Sequence, residues 1–206
     1  MTRRFWVETL GCPKNQVDSD KLTGQLLADG LVPADAAADA DLVVVNTCAF
    51  VEEARQESVD AILALHDARG DGSRLVVTGC MAERYGDELA AALPEVDAVA
   101  GFGAAVPVAL GRKPSPSTPA LDLLRLPRPK ASAPWAYVKV AEGCDRACGF
   151  CAIPSFRGPQ RSRAIDDVLA EVDALDAQEI VLVAQDLAAY GRDQGVGERS
   201  IVPLVR

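Results

Sequence analysis

Three short apolar runs near the start of the chain each finish on a cysteine, and that pattern limits the folds open to the first hundred residues. Phe5-Trp6-Val7-Glu8-Thr9-Leu10 leads into Gly11-Cys12, Asp41-Leu42-Val43-Val44-Val45 into Asn46-Thr47-Cys48, and Arg74-Leu75-Val76-Val77-Thr78 into Gly79-Cys80. Short β-branched runs bounded by turn residues read as strands buried on both faces. Helical patterns separate them. One helix is predicted from about Lys21 to Ala28, capped by Asp18-Ser19-Asp20 and stopped by Gly30. A second covers roughly Val51 to Ala68, and a third runs from about Glu83 to Leu93, ahead of Pro94 and a fourth strand at Val96 to Val99. Alternating strands and helices predict an α/β domain with a parallel, doubly wound sheet. The carboxyl ends of such strands share one edge, where open α/β folds build their sites. Cys12, Cys48 and Cys80 are therefore expected together, as a metal centre with three ligands and an open position.

A second triad is local. Cys144, Cys148 and Cys151 lie in one loop with the spacing Cys-x-x-x-Cys-x-x-Cys, and Gly143 and Gly149 leave its backbone free to curl. Two readings compete. A structural zinc site asks for four ligands in a tetrahedron, and no fourth lies nearby in sequence. Three thiolates on a four-iron cube leave one iron open to an exchangeable ligand. Disulfides are disfavoured by the odd number and by the lack of any export signal. His66, the single histidine, sits inside a helical pattern and reads as a partly exposed helix residue rather than a ligand.

Composition narrows the function classes. Apolar residues make up 49% of the 206, enough to bury a core. Thirty Asp and Glu against 21 Lys and Arg give a net charge of −9, which repels phosphate backbones and argues against non-specific nucleic-acid binding. The N-terminus has no long apolar stretch, so neither a signal peptide nor a membrane span is predicted, and a cytoplasmic location with no membrane partner is the expectation.

Domain boundaries follow from composition. Residues 3–105 are predicted as the N-terminal α/β domain and residues 106–134, rich in proline, as a linker. Residues 135–206 read as a second domain. In it, Trp135 to Val140 is a strand, and the cysteine loop follows at its carboxyl end. Arg157, Arg161 and Arg163 read as a solvated basic loop, with neutralisation of carboxylates or phosphates as the other possibility. Ala164 to Leu175 is an amphipathic helix, and Glu179 to Ala184 is a second strand ending at Gln185-Asp186. Strand, loop, helix, strand is the opening of a βα barrel with its site at the strand carboxyl ends. Two strands cannot close a barrel, so the barrel is expected to be incomplete and the chain a C-terminally truncated piece of something about twice as long.

With both triads placed, the motifs resemble the methylthiotransferase family of radical S-adenosylmethionine (SAM) enzymes. The resemblance rests on Leu10-Gly11-Cys12-Pro13-Lys14-Asn15 with Val17-Asp18-Ser19, and on Val45-Asn46-Thr47-Cys48-Ala49-Phe50 with Glu52-Glu53-Ala54. Thr78-Gly79-Cys80, Ala141 to Asp145 and Cys151-Ala152-Ile153-Pro154 complete it. It implies two 4Fe-4S clusters, one on Cys12, Cys48 and Cys80 and one on Cys144, Cys148 and Cys151, with SAM as the further cofactor. It also implies Phe150 as a contact to the SAM adenine, against a bland reading as loop packing. No catalytic residue is assigned.

Two branches of the family are distinguished by the residues after each cysteine. Cys12-Pro13-Lys14-Asn15, Cys48-Ala49-Phe50, Cys151-Ala152-Ile153-Pro154-Ser155-Phe156 and Ala184-Gln185-Asp186 resemble the RimO branch, which modifies an aspartate of ribosomal protein S-twelve. The tRNA branch typically carries Gln-Met-Asn and Gly-Gln-Asn at the corresponding places. The resemblance therefore implies methylthio transfer to the β-carbon of that aspartate. Its partners would be the ribosomal protein as substrate, an external electron donor, and the ribosome through a C-terminal domain. Transfer to a tRNA adenosine is the alternative within the family. A non-enzymatic, two-cluster electron carrier is the alternative outside it, and SAM binding would separate the two classes.

Overall fold

In the computed structural model, which describes residues 2–111, 122–195 and 201–206, the chain divides into two compact units at Arg128 and Pro129. In the first unit the apolar runs pair as neighbours in one parallel sheet. Its strands are β1 (Arg4–Thr9), β2 (Val32–Pro33), β3 (Leu42–Thr47), β4 (Arg74–Gly79) and β5 (Ala98–Val99), in the order β2-β1-β3-β4-β5. This order reverses between β1 and β3, the kind of point at which open parallel sheets leave a crevice. Val44 stands opposite Val7 on one side and Val76 on the other, and every residue of β3 is buried. A central strand flanked on both edges and both faces favours apolar residues on both sides, which is why Leu42 to Val45 do not alternate.

The helices are α1 (Pro13–Ala28), α2 (Glu52–Ala68), α3 (Cys80–Ala92) and the short α4 (Ala105–Ala109). Leu22 and Leu26 of α1, with Ala105 and Ala109 of α4, pack on Phe5, Leu42, Val44 and Val76 to form one core. Complete burial of such a side chain contributes roughly 1.5–3 kcal/mol.

The first helix begins eight residues before the predicted start. Cys12 occupies its N-cap in extended conformation and Pro13 its first turn, a place where the missing proline N–H costs nothing. Asp18 and Ser19 are consequently buried within the helix instead of capping it. The third helix starts at Cys80 and bends at Gly86, whose φ of 43° departs from helical geometry.

The stretch predicted as linker is not uniform. Residues 112–121 lie outside the described residues, but 122–128 pack on α1. Leu123 joins the first core, and the buried ammonium of Lys21 donates to the Leu124 and Leu126 carbonyls at 3.0 Å each. A Cβ on Gly24 would overlap the Pro127 carbonyl, and Asp20 pairs with Arg128. The compositional boundary missed this because Leu123 and Leu126 are too few to make a period.

The second unit holds β6 (Trp135–Lys139) parallel to β9 (Glu179–Val183), with α6 (Ile165–Leu175) as the crossover between them. Val138, Val140, Val168 and Leu175 are its core. Three further elements lie in the crossover: β7 (Ala141–Glu142), α5 (Ile153–Arg157) and β8 (Arg161–Ser162), with β7 and β8 antiparallel. The last described helix is α7 (Ile201–Leu204). No helix among the described residues is long and apolar enough to cross a membrane.

Candidate metal centres

The first centre is assembled by the sheet. Thr9, Asn46 and Thr78 are level across β1, β3 and β4, so the loops carrying Cys12, Cys48 and Cys80 leave adjacent strands at one edge. Cys48 and Cys80 are buried, Cys12 is half-buried, and none of the three forms a disulfide. Gly11 has a φ of 90°, and a Cβ there would lie 2.7 Å from Cys48 Cβ and 2.9 Å from its Sγ. Close approach of the first two cysteine loops therefore requires glycine at this position.

Beneath the thiols lies a layer of neutral polar side chains that sequence reasoning did not single out. Asn15 Nδ2 donates to the carbonyls of Leu10 at 2.9 Å and Thr47 at 3.0 Å, and the Cys80 thiol faces Asn15 Oδ1 at 3.6 Å. Asn46 Nδ2 donates to the Asn15 carbonyl and to Ser19 Oγ, at 2.9 and 3.0 Å. Ser58 Oγ accepts from the Cys48 amide at 3.1 Å and donates back to the Ala54 carbonyl at 2.8 Å. Asn15, Asn46 and Ser58 are each 0% exposed. An apolar floor would avoid the desolvation cost of these groups, so their retention points to orientation of the loops above them. The visible signal was Asn46-Thr47, two polar residues closing a run of valines.

The second centre is local. Cys144 is buried, Cys151 half-buried and Cys148 exposed, again with no disulfide. The loop is anchored at its start: the Cys144 amide donates to the Gly158 carbonyl at 3.1 Å, and the Gln160 amide donates to Asp145 Oδ1 at 3.0 Å. Gly143 has a φ of 81°, and any Cβ would overlap the Pro159 carbonyl. The Arg146 amide lies 3.4 Å from Cys144 Sγ, and its side chain pairs with Asp186 at 2.6 Å. That carboxylate, followed by the neighbouring cysteines, raises the Arg146 guanidinium above its usual value. Phe150 is 87% exposed, so its ring takes no part in packing the loop.

Charge supports this second loop. Glu142, two residues before Cys144, accepts from Lys139 at 2.8 Å, from Arg157 at 3.2 Å and from Gln185 Nε2 at 2.6 Å, and Lys139, Glu142 and Arg157 are all buried. Burial by itself would raise the Glu142 carboxyl, but Lys139 and Arg157 outweigh it and hold the group down at about 2. Arg163 is also buried, paired with Glu171 at 2.7 Å and donating to the Lys139 carbonyl at 3.0 Å. Of the three arginines predicted as a solvated loop, only Arg161 is exposed. Arg157 and Arg163 have carboxylates to pair with inside the fold, a pairing that composition does not reveal.

His66 Nδ1 lies 3.1 Å from the Glu95 carbonyl, to which it can only donate, and 3.2 Å from the Arg69 guanidinium. Among the described residues, no group of three or more His, Cys, Asp or Glu side chains converges tightly enough to hold a metal ion as placed. A cysteine sulfur is one staggered torsion from its backbone, so its final position follows the rotamer it adopts on binding. The donor sets themselves fit iron–sulfur ligation: thiols without disulfide partners in threes. Buried oxygens without partners among the described residues lie near each triad, Asn46 Oδ1 and Thr78 Oγ1 in the first unit, Gln160 Oε1 and Gln185 Oε1 in the second.

Comparison with known proteins adds sequence relatives. The family model described as "Uncharacterized protein family UPF0004" matches residues 4–101. A ribosomal protein uS12 methylthiotransferase RimO of Anaeromyxobacter sp. (strain Fw109-5) is 47% identical over 205 residues, covering 93% of this chain and 44% of the relative. Proteins of the same name from Myxococcus xanthus (strain DK1622) and Desulfitobacterium hafniense (strain Y51) are 45% and 39% identical, over 93% and 100% of this chain. The chain spans a little under half the length of these relatives, 43% and 49% for the last two. Among solved structures, a cobalamin-dependent SAM radical enzyme, OxsB, is similar at a TM-score of 0.48 and 12% identity, covering 91% of this chain and 34% of its own.

Proposed function

We propose that the chain belongs to the methylthiotransferase family and carries the cluster-holding part of a radical SAM enzyme that places a methylthio group on the β-carbon of an aspartate in ribosomal protein uS12, a reading supported by its sequence relatives. The observation that carries this reading is the gathering of Cys12, Cys48 and Cys80 at the ends of three adjacent parallel strands, in a chain that also holds Cys144, Cys148 and Cys151 in one loop. The first triad would hold one 4Fe-4S cluster and the second another, at the mouth of an opening βα barrel. When bound, the clusters and SAM would supply the one-electron and radical chemistry.

The chain's own residues position and shield. Gly11 and Asn15 bring the loops of the first triad to one edge. Glu142, held ionised between Lys139 and Arg157, supports the second loop from below, and Arg146 pins it to Asp186. Phe150, exposed on the loop, would lie against the SAM adenine. Phe50 and Val51, just after Cys48, present an exposed apolar lip where substrate would approach the first centre.

The residues following each cysteine support the ribosomal-protein branch, as do relatives named for uS12. The test is deletion of the full-length gene, followed by intact-mass measurement of the ribosomal protein and nucleoside analysis of bulk tRNA. Loss of about 46 mass units from the protein, the difference between SCH3 and H, with methylthio-adenosines intact, is the expected result. Loss from tRNA alone would assign the enzyme to the adenosine branch.

A further inference from the structure

We propose that Asn15 is a positioning residue that sets the relative register of all three cysteine loops in the first unit, an inference that rests on that triad holding a cluster. Both hydrogens of its amide nitrogen are committed, one to the Leu10 carbonyl ahead of Cys12 and one to the Thr47 carbonyl ahead of Cys48. This fixes which end of the carboxamide points where, because a flipped amide would set its oxygen against two carbonyl oxygens. The oxygen is thereby aimed at the third loop, where it faces the Cys80 sulfur at 3.6 Å. Asn15 is 0% exposed, so water cannot substitute for any of these partners.

The backbone of Asn15 extends the same function. Its carbonyl accepts from Asn46 Nδ2 at 2.9 Å, and its amide donates to the Cys12 carbonyl at 2.9 Å. One residue thus touches the segments that follow β1 and β4 and the carboxyl end of β3. The loops come from distant parts of the chain, and strand pairing alone brings their backbones level without setting where each sulfur points. A short, rigid carboxamide with two donors and one acceptor is suited to that task. Glutamine carries the same groups one methylene further out and would overshoot; leucine keeps the volume and loses every side-chain hydrogen bond.

The experiment compares anaerobic reconstitution of the chain and its Asn15→Leu and Asn15→Ser variants with ferrous iron and sulfide. Iron per chain, the electron paramagnetic resonance spectrum of the reduced protein and far-UV circular dichroism are read together. The expected result is native circular dichroism in Asn15→Leu, loss of about half the iron, and disappearance of the spectral component assigned to the first triad by its absence in Cys12→Ala. Asn15→Ser, which restores one donor, should recover part of that component at shifted g-values, a change that a merely structural role would not produce. Full iron with an unchanged spectrum in both variants would overturn the proposal alone. Failure of the wild-type chain to load the first triad would instead overturn the functional reading on which it rests. If both variants are unfolded, Asn15 is a folding residue and the positioning role is rejected.

Discussion

The two cysteine centres reach the same donor set by opposite routes. In the first unit, three loops more than 30 residues apart in sequence are gathered by the sheet, and neutral amides and hydroxyls hold them. In the second, one short loop supplies all three thiols, and a buried Lys-Glu-Arg cluster with Gln185 supports it. A site built from distant segments needs groups that fix several backbones at once, which short carboxamides do well. A site built from one segment needs its base kept in place, and a buried charge cluster does that strongly while making the unit sensitive to loss of any member.

The largest expected effect separates the units outright. Glu142→Ala leaves Lys139 and Arg157 buried without their carboxylate, and removing one partner of such a pair destabilises by about 3–5 kcal/mol. The chain has two tryptophans, Trp6 in the first unit and Trp135 in the second. Denaturation followed by fluorescence in Trp6→Phe and Trp135→Phe backgrounds therefore reports each unit. Only the Trp135 transition should move; an equal shift at Trp6 would break the comparison.

Gly11→Ala tests the other side. With a φ of 90° and a Cβ 2.7 Å from Cys48 Cβ, the substitution should cost about 1–3 kcal/mol in the first unit. Iron uptake by the first triad should fall, while the second triad loads normally. Normal loading of both triads would show that the close approach of these loops is dispensable.

Acid should distinguish the units more gently. Glu142 in the folded chain titrates near 2, below its ordinary 4.5, so the unfolded chain binds more protons between these values. Its stabilisation is complete above about pH 4.5 and is lost as pH falls through about 2. The Trp135 transition should weaken across that window. In the first unit Asp97, more exposed, is also held low: burial opposes this, and the Leu75 amide and Arg69 prevail. Its acid dependence should be the smaller, since solvent screens such a group. Comparable acid slopes at both tryptophans would contradict the assignment.

Phe150→Ala should be the quietest for stability, within about 0.5 kcal/mol, because the ring is 87% exposed. Its proposed role predicts a different loss: calorimetric SAM affinity of the reconstituted chain should fall several-fold. Unchanged affinity would remove Phe150 from the cofactor site.

Much of this was legible in the residues. The valine runs identified β3 and β4 because a strand covered on both faces admits little else, and the cysteine after each run lies at the carboxyl edge of the sheet. The loop spacing from Cys144 to Cys151 identified the second triad because its geometry is local. The start of α1 was misread because Asp18-Ser19-Asp20 has the composition of a cap, whereas Pro13 at the first turn and burial of Asp18 decided otherwise. Arg157 and Arg163 looked solvent-exposed because their partners, Glu142 and Glu171, are identified only by folding.

The sequence by itself determined the strand-helix alternation, the strand ends that carry cysteines and the local thiol loop, since periodicity and spacing act over a few residues. Only the tertiary structure decided that Asn15 bridges three loops, that Lys21 holds residues 124 and 126 on α1, and that Glu142 sits between two buried cations. The physical reason is common to all three. A buried polar group must find partners wherever the fold places them, and those partners come from segments whose separation along the chain carries no information about their separation in space.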